Sequence, residues 1–273
     1  MSDPIIFNLV LSAAVVFGLV YTVYGLHLIA DDASIIDLFW GAGFGFVAIA
    51  LLVSTQPKTN YTVLLSLLPI LWAVRYTTFI FLRNWGKGED ARYTDLRDRI
   101  KQKKIPWWLF SFFGVYGFQA VAMLIVSSPL IIGMAAPEST QISLLPILGL
   151  VLWIVGFFFE AIGDLQLATF KKKHSDFDGP ESEKPVLTSG LWRYTRHPNY
   201  FGNACMWWGI GLIAVVVPYG WVALIGPAFM NFALVFLTGK ANNERKMNKR
   251  PAYKEYVKKT SGFFPLPPKS SLS

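Results

Sequence analysis

Charge is scarce in this chain, and cysteine almost missing. Only 15% of its 273 residues are charged, against about 25% in an average soluble domain. Hydrophobic residues make up 53% and aromatics 16%. That balance excludes intrinsic disorder, which demands low hydrophobicity, and it argues against a water-soluble globule. The single cysteine, Cys205, excludes an intrachain disulfide framework and a cysteine-based zinc cluster. The three histidines, His27, His174 and His197, show no HxxxH or HExxH spacing, so no metal site is expected. No G-x-S-x-G element or P-loop is present. The run Gly41-Ala42-Gly43-Phe44-Gly45 is not G-x-G-x-x-G and follows no strand pattern. It reads as a small-residue contact between helices.

What the chain does have is long apolar runs and basic residues. Crossing roughly 30 Å of hydrocarbon takes about 20 helical residues. Seven runs approach that length: 5–30, 34–54, 61–82, 107–134, 143–168, 200–217 and 220–238. The first lacks a basic leader and a cleavage site, so it reads as a retained helix. The net charge is +8, and 23 of the 25 Lys and Arg fall in three segments: 83–106, 171–199 and the tail from 240. The other two are Lys58 and Arg75. Seven crossings place all three segments on one face, and the positive-inside rule makes that face cytosolic. The expected fold is therefore an all-α polytopic membrane protein. It has seven transmembrane helices, the N-terminus outside and the C-terminus in the cytosol. It forms a single transmembrane domain with cytosolic loops 83–106 and 171–199 and a cytosolic tail 240–273. The basic excess then serves topology and contact with anionic lipid, and no nucleic-acid partner is expected.

Ionisable groups inside a membrane are functional suspects by default. Here they are Asp37 opening the second run, Arg75 with Tyr76 in the third, and Glu160 with Asp164 in the fifth. His27 joins them, and the neutral polar Gln119 and Asn231 also lie within the runs. Interfacial solvation would account for His27 and Asp37, and interhelical bonding for Gln119 and Asn231. Glu160 and Asp164 share one helical face, and two carboxylates one turn apart repel unless they meet donors.

The most informative stretch is 190–203, Gly-Leu-Trp-Arg-Tyr-Thr-Arg-His-Pro-Asn-Tyr-Phe-Gly-Asn. Pro198 and Asn199 open the sixth run, where a helix N-terminus offers free N–H groups. Arg193, Arg196 and His197 precede it with phosphate-compatible donors. Trp192, Tyr194 and Tyr200 supply flat aromatic faces. Cations, a helix N-terminus and aromatics together suit a phosphorylated aromatic cofactor, and a basic interfacial anchor is the plainer reading.

Leu191 to Gly202, Glu160-x-x-x-Asp164-x-Gln166, Gly88-Glu89-Asp90-Ala91-Arg92-Tyr93 and Asp37-x-Phe39-Trp40-Gly41 carry a resemblance. So does the closing Tyr253-x-x-Tyr256-x-x-x-Thr260-x-x-Phe263-x-Pro265. Across nearly its whole length the chain resembles a DUF1295-like bacterial family of multipass proteins related to steroid 5-alpha-reductases. The wider superfamily also holds sterol C14-reductases and isoprenylcysteine carboxyl methyltransferases. The resemblance implies NADPH held at the cytosolic ends of the last three helices. It places Asp164, Leu167, Lys171 and Asn199 around the nucleotide and Lys240 on phosphate, with Glu244 and Arg245 in the polar stretch that follows. Glu160 stands where the steroid enzymes have Asn, and Asn203 where they have Glu. The steroid enzymes' adjacent Gln-Glu pair is absent, so a steroid substrate is not implied. Asp37, Arg75 and Tyr76 are the candidate acid and oxyanion groups.

Three functions are expected to compete. The first is an NADPH-dependent reductase of a conjugated C=C bond in a lipid, located in a bacterial cytoplasmic membrane. The second is an S-adenosylmethionine-dependent lipid or prenyl-protein methyltransferase. Its relatives usually carry Glu-Glu where this chain has Asn243-Glu244. The third is a non-catalytic lipid-binding protein.

Overall fold

The computed structural model describes residues 3–136, 143–237, 244–245 and 247–269. The described residues are almost entirely helical, with one isolated parallel bridge between Thr195 and Ser261. Five helices are long and apolar enough to cross a membrane: α1 (Pro4–Ala30), α2 (Ile35–Ser54), α3 (Asn60–Asn84), α5 (Trp107–Val126) and α7 (Leu144–Lys173). Two short polar helices, α4 (Ala91–Gln102) and α10 (Pro251–Lys259), lie in basic segments. α6 (Ser128–Gly133) follows α5 after a break at Ser127. α8 (Pro198–Ala214) and the composite α9 (Gly220–Phe236) complete the order.

The sequence sets these boundaries. At the start of α1 the Asp3 carboxylate accepts from the Ile5 N–H at 2.8 Å and Pro4 takes the first turn. α1 ends at Asp31, in the left-handed conformation with φ 51°. Thr59 and Thr62 cap α3 reciprocally, at 3.2 and 2.9 Å. Large apolar side chains on the long helices point outward, among them Ile6, Val10, Val53, Val74, Leu82 and Phe158. Helices apolar on their outer as well as their inner face belong to an integral membrane protein.

The sixth expected crossing comes out slightly shorter than its apolar run. α8 has 17 residues, and α9 combines a 3-10 turn, a short α-helix and a π-helical end. Seventeen residues rise about 25 Å, short of the roughly 30 Å core. The fourth run divides at Ser127, and α5 contains a π-helical stretch over Ser111–Gly117.

The chain forms two compact units, Met1–Pro146 with Gly211–Gly226, and Ile147–Ile210 with Pro227–Ser273. In the first, α2 and α3 touch through glycine. A Cβ on Gly41 would lie 2.6 Å from the Tyr76 ring, and one on Gly45 would lie 2.9 Å from the Ala73 Cβ. This is the helix contact read from Gly41 and Gly45. Asn8 on α1 donates to the Ile131 carbonyl at 3.0 Å, tying α6 to α1. In the second unit α7 and α8 run antiparallel on glycines spaced seven apart. A Cβ on Gly209 would lie 2.5 Å from the Gly149 carbonyl. One on Gly156 would lie 2.5 Å from the Gly202 carbonyl, and one on Gly163 3.2 Å from the Asn199 amide. With no side chain between them, the two backbones approach closely.

Candidate functional site

Two polar clusters stand out, one in each unit. In the second unit, the close approach of α7 and α8 sets carboxylates against amides. Asn203 donates to Glu160 at 3.2 Å and Asn199 donates to Asp164 at 3.1 Å. Glu160, Asp164 and Asn203 are all buried. Each carboxylate of the i, i+4 pair thus has its own amide donor on α8, which answers the repulsion expected between them. The Asn203 side-chain oxygen is buried without a donor.

The segment 190–197 packs on the same end of α7. Gly190 has φ +62°, and a Cβ there would collide with the Gln166 amide. Gln166 accepts from the Leu191 N–H at 3.0 Å, and Trp192 donates its indole N–H to the Gly163 carbonyl at 3.1 Å. Arg193 and Tyr194 are left exposed. The tail pins this segment from the other side. Tyr256 donates to the Trp192 carbonyl, Thr195 donates to the Phe263 carbonyl at 2.8 Å, and the Leu266 N–H donates to the Tyr194 carbonyl at 3.0 Å.

Arg196 and His197 face inward. Arg196 meets Glu244 at 2.9 and 3.0 Å and donates to the Thr260 carbonyl at 2.6 Å. The Nε2 of His197 lies 3.1 Å from the same carboxylate, with the imidazole stacked on Tyr200. Burial works to raise the Glu244 carboxyl, but hydrogen bonds from His197 and Arg196 outweigh it and hold the group below its ordinary range. Tyr253 beside them is pushed up to about 12 by burial. The Arg196 guanidinium thus latches the tail to the start of α8, and is not a solvent-facing phosphate donor in this arrangement. Of the cations expected around a nucleotide, Lys171, Arg193 and Arg245 are exposed, and Leu167 is half-buried on α7. Lys240 lies outside the described residues.

The first unit gathers motifs that lie far apart in sequence. Asp37, in the first turn of α2, accepts from Arg92 at 2.7 Å and from the Tyr93 hydroxyl at 2.8 Å. Gln119 on α5 donates to the same hydroxyl at 3.4 Å. Tyr93 is buried, and burial together with the Asp37 charge raises its phenol far above the usual range, so it holds its proton. Glu89 accepts from the Ala33 N–H at 2.8 Å and from Arg97 at 3.0 Å. Asp90 caps α4 through the Arg92 N–H at 2.9 Å. Burial raises the Asp90 carboxyl, but Arg92 more than offsets this and holds it low. Tyr76 stacks on Trp72 and fills the space over Gly41. Its ring thus packs α3 on α2, while Asp37 is bound from α4. In the sequence Arg92 and Tyr93 stand within a motif and Gln119 reads as an interhelical bond, with no site role for any of them. The signal was present, a Tyr within an acidic-basic hexapeptide, yet its partner stands 56 residues away.

The model of a family described as a protein of unknown function, DUF1295, matches residues 23–260. An uncharacterized protein of Schizosaccharomyces pombe is 23% identical over 252 residues, covering 84% of this chain and 67% of its own length. No solved structure matches the chain significantly. The family match takes in Asp37, Tyr93 and Gln119 and the pairs Glu160–Asn203 and Asp164–Asn199, and the chain belongs to the DUF1295 family.

Proposed function

We propose that the protein is a membrane oxidoreductase that reduces a conjugated C=C bond in a lipid with NADPH. The observation that carries this reading is the largely buried polar row on the glycine-packed helix pair. There Glu160, Asp164, Asn199 and Asn203 line up, and the Asn203 oxygen is left without a donor. A buried acceptor without a donor is costly, and an amide N–H from a ligand would satisfy it. The exposed donors of the same unit suit a dinucleotide. Exposed Lys171, Arg193 and Arg245 suit phosphates, and exposed Tyr194 offers an aromatic face. NADPH, when bound, supplies the hydride.

The chain's own chemistry is proton management in the first unit. Tyr93 donates its hydroxyl proton to Asp37 and accepts from Gln119; turned from Asp37 toward a substrate carbonyl, the same O–H would hold that oxygen and release its proton to it. Arg92 balances the charge left on Asp37. Arg75 on α3 would act as an electrostatic stabiliser. The membrane arrangement that goes with this reading has seven crossings, the N-terminus outside and the basic segments in the cytosol.

The deciding experiment is thermal-shift and fluorescence titration of purified protein with NADPH, NADH and S-adenosylmethionine. NADPH should stabilise the protein, and Arg193→Ala should weaken its binding about tenfold, the loss of one charge-assisted contact. Stabilisation by S-adenosylmethionine alone would replace reduction with methyl transfer.

A further inference from the structure

A cavity of about 420 Å³ lies at the turn between α4 and α5, and shares Arg97 with the polar cluster of the first unit. Its lining is Arg97, Lys101, Lys104, Ile105, Pro106 and Trp107. Every polar side chain in that set is a hydrogen-bond donor, and none is an acceptor. Arg97 is matched by Asp31 at 2.7 Å and Glu89 at 3.0 Å. Lys101 and Lys104 are exposed and have no ion-pair partner among the described residues. The charge left over in the cavity is therefore positive.

Two further donors there are short of acceptors. The Nε of Arg97 and the indole Nε1 of Trp107 are buried without hydrogen-bond partners. The Arg97 guanidinium sits over the Trp107 ring at 5.2 Å. Ile105 and Pro106 add an apolar wall. Trp107 is the first residue of a helix long and apolar enough to span a membrane, and Trp108 and Leu109 beside it are exposed. Paired tryptophans at the start of such a helix mark the level of lipid headgroups. The ligand that fits is an anion rich in acceptors with an apolar extension.

We propose that this cavity binds the phosphoryl headgroup of an anionic membrane lipid. Lys101 and Lys104 supply the charge, the Arg97–Trp107 pair supplies the remaining donors, and Ile105 and Pro106 take the glycerol and upper acyl region. The ligand chemistry is a phosphate mono- or diester, and inorganic phosphate shares it.

The test is native mass spectrometry of the full chain in detergent, titrated with phosphatidylglycerol, phosphatidylcholine or sodium phosphate. Phosphatidylglycerol should bind in preference to phosphatidylcholine. The double variant Lys101→Ala/Lys104→Ala should bind phosphatidylglycerol roughly thirtyfold more weakly, about fivefold per lysine. The double variant Lys258→Ala/Lys259→Ala, on the exposed face of α10, should change it less than about twofold. Trp107→Phe keeps the ring and removes a donor, and should cost a few-fold on its own. Displacement of the lipid by millimolar phosphate would show that the phosphoryl group alone is recognised. Resistance to displacement would show that the lipid body contributes, and either result supports the site. Equal losses in the two double variants would overturn it in favour of diffuse surface attraction, as would equal binding of the two lipids.

Discussion

Tyr93 is the residue on which the catalytic reading turns. A phenol held between a carboxylate and an amide has its ring and oxygen placed before any substrate arrives, with its proton resting on the hydrogen bond to Asp37. Tyr93→Phe removes the proton and keeps the packing. It should lower turnover about a hundredfold, the lower range for general acid catalysis, while leaving NADPH affinity unchanged. Single-turnover reduction measured beside a cofactor titration separates the two effects. Glu244 gives a second test at this scale. Its folded pKa lies below the ordinary value of 4.5, so its stabilising effect is complete above that pH and is lost as pH falls through the folded value. Glu244→Gln should therefore melt lower than the natural protein at neutral pH. The gap should close as both are acidified below about pH 4.5, and thermal denaturation in detergent across that range reads it directly.

At the scale of elements, the seam between α7 and α8 is the most demanding feature. A Cβ on Gly202 would run into the backbone of Glu160 and Gly156, and backbone cannot swing aside as a side chain can. Gly202→Ala should cost about 2 kcal/mol through overpacking, seen as a lower melting temperature. Gly88→Ala, in open space, should leave it unchanged. The long helices were legible in sequence because their apolar runs are uninterrupted: α1, α2 and α3 begin and end within two residues of the runs at 5–30, 34–54 and 61–82. α4 and α10 went unassigned because they are short and polar, with Tyr93, Ile100, Tyr253 and Tyr256 as their buried residues. The seven-residue spacing of Gly149, Gly156 and Gly163 stood in the sequence too. Its meaning depends on Gly202 and Gly209 lying opposite, which is a tertiary fact. The site shows the same division. Glu160, Asp164, Asn199 and Asn203 were picked out as unusual polar residues, and the structure joins them in pairs. Arg196 and His197 were read for their charge alone, and the Glu244 that engages both stands more than 45 residues further on.

For the molecule as a whole, the uneven spread of basic residues is a statement about the membrane. Cys205 is the single cysteine and is buried, so Cys205→Ser gives a clean background for single-cysteine reporters. Cysteines at Lys58, Gly88 and Gly179 should divide under a membrane-impermeant maleimide applied to intact cells. Lys58→Cys should label from outside, whereas Gly88→Cys and Gly179→Cys should label only after the membrane is opened. External labelling at position 88 or 179 would remove the proposed orientation. The lipid cavity belongs to this scale as well, since a headgroup bound beside Trp107 would fix the depth at which α5 enters the bilayer.

The glycine seam also raises a question of register. Glycines that recur every seven residues on two antiparallel helices meet in more than one alignment. If α8 slid by one repeat, about 10.5 Å, Gly156 would face Gly209 and Gly163 would face Gly202, with the same close approach. Small residues alone therefore tolerate the slip. The pairs Glu160–Asn203 and Asp164–Asn199 do not, since each amide would leave its carboxylate behind in an apolar seam. A polar residue in such a seam can specify one alignment at some expense in stability. These four side chains therefore act as a key that selects a single setting of the helix pair, besides whatever they do for a ligand.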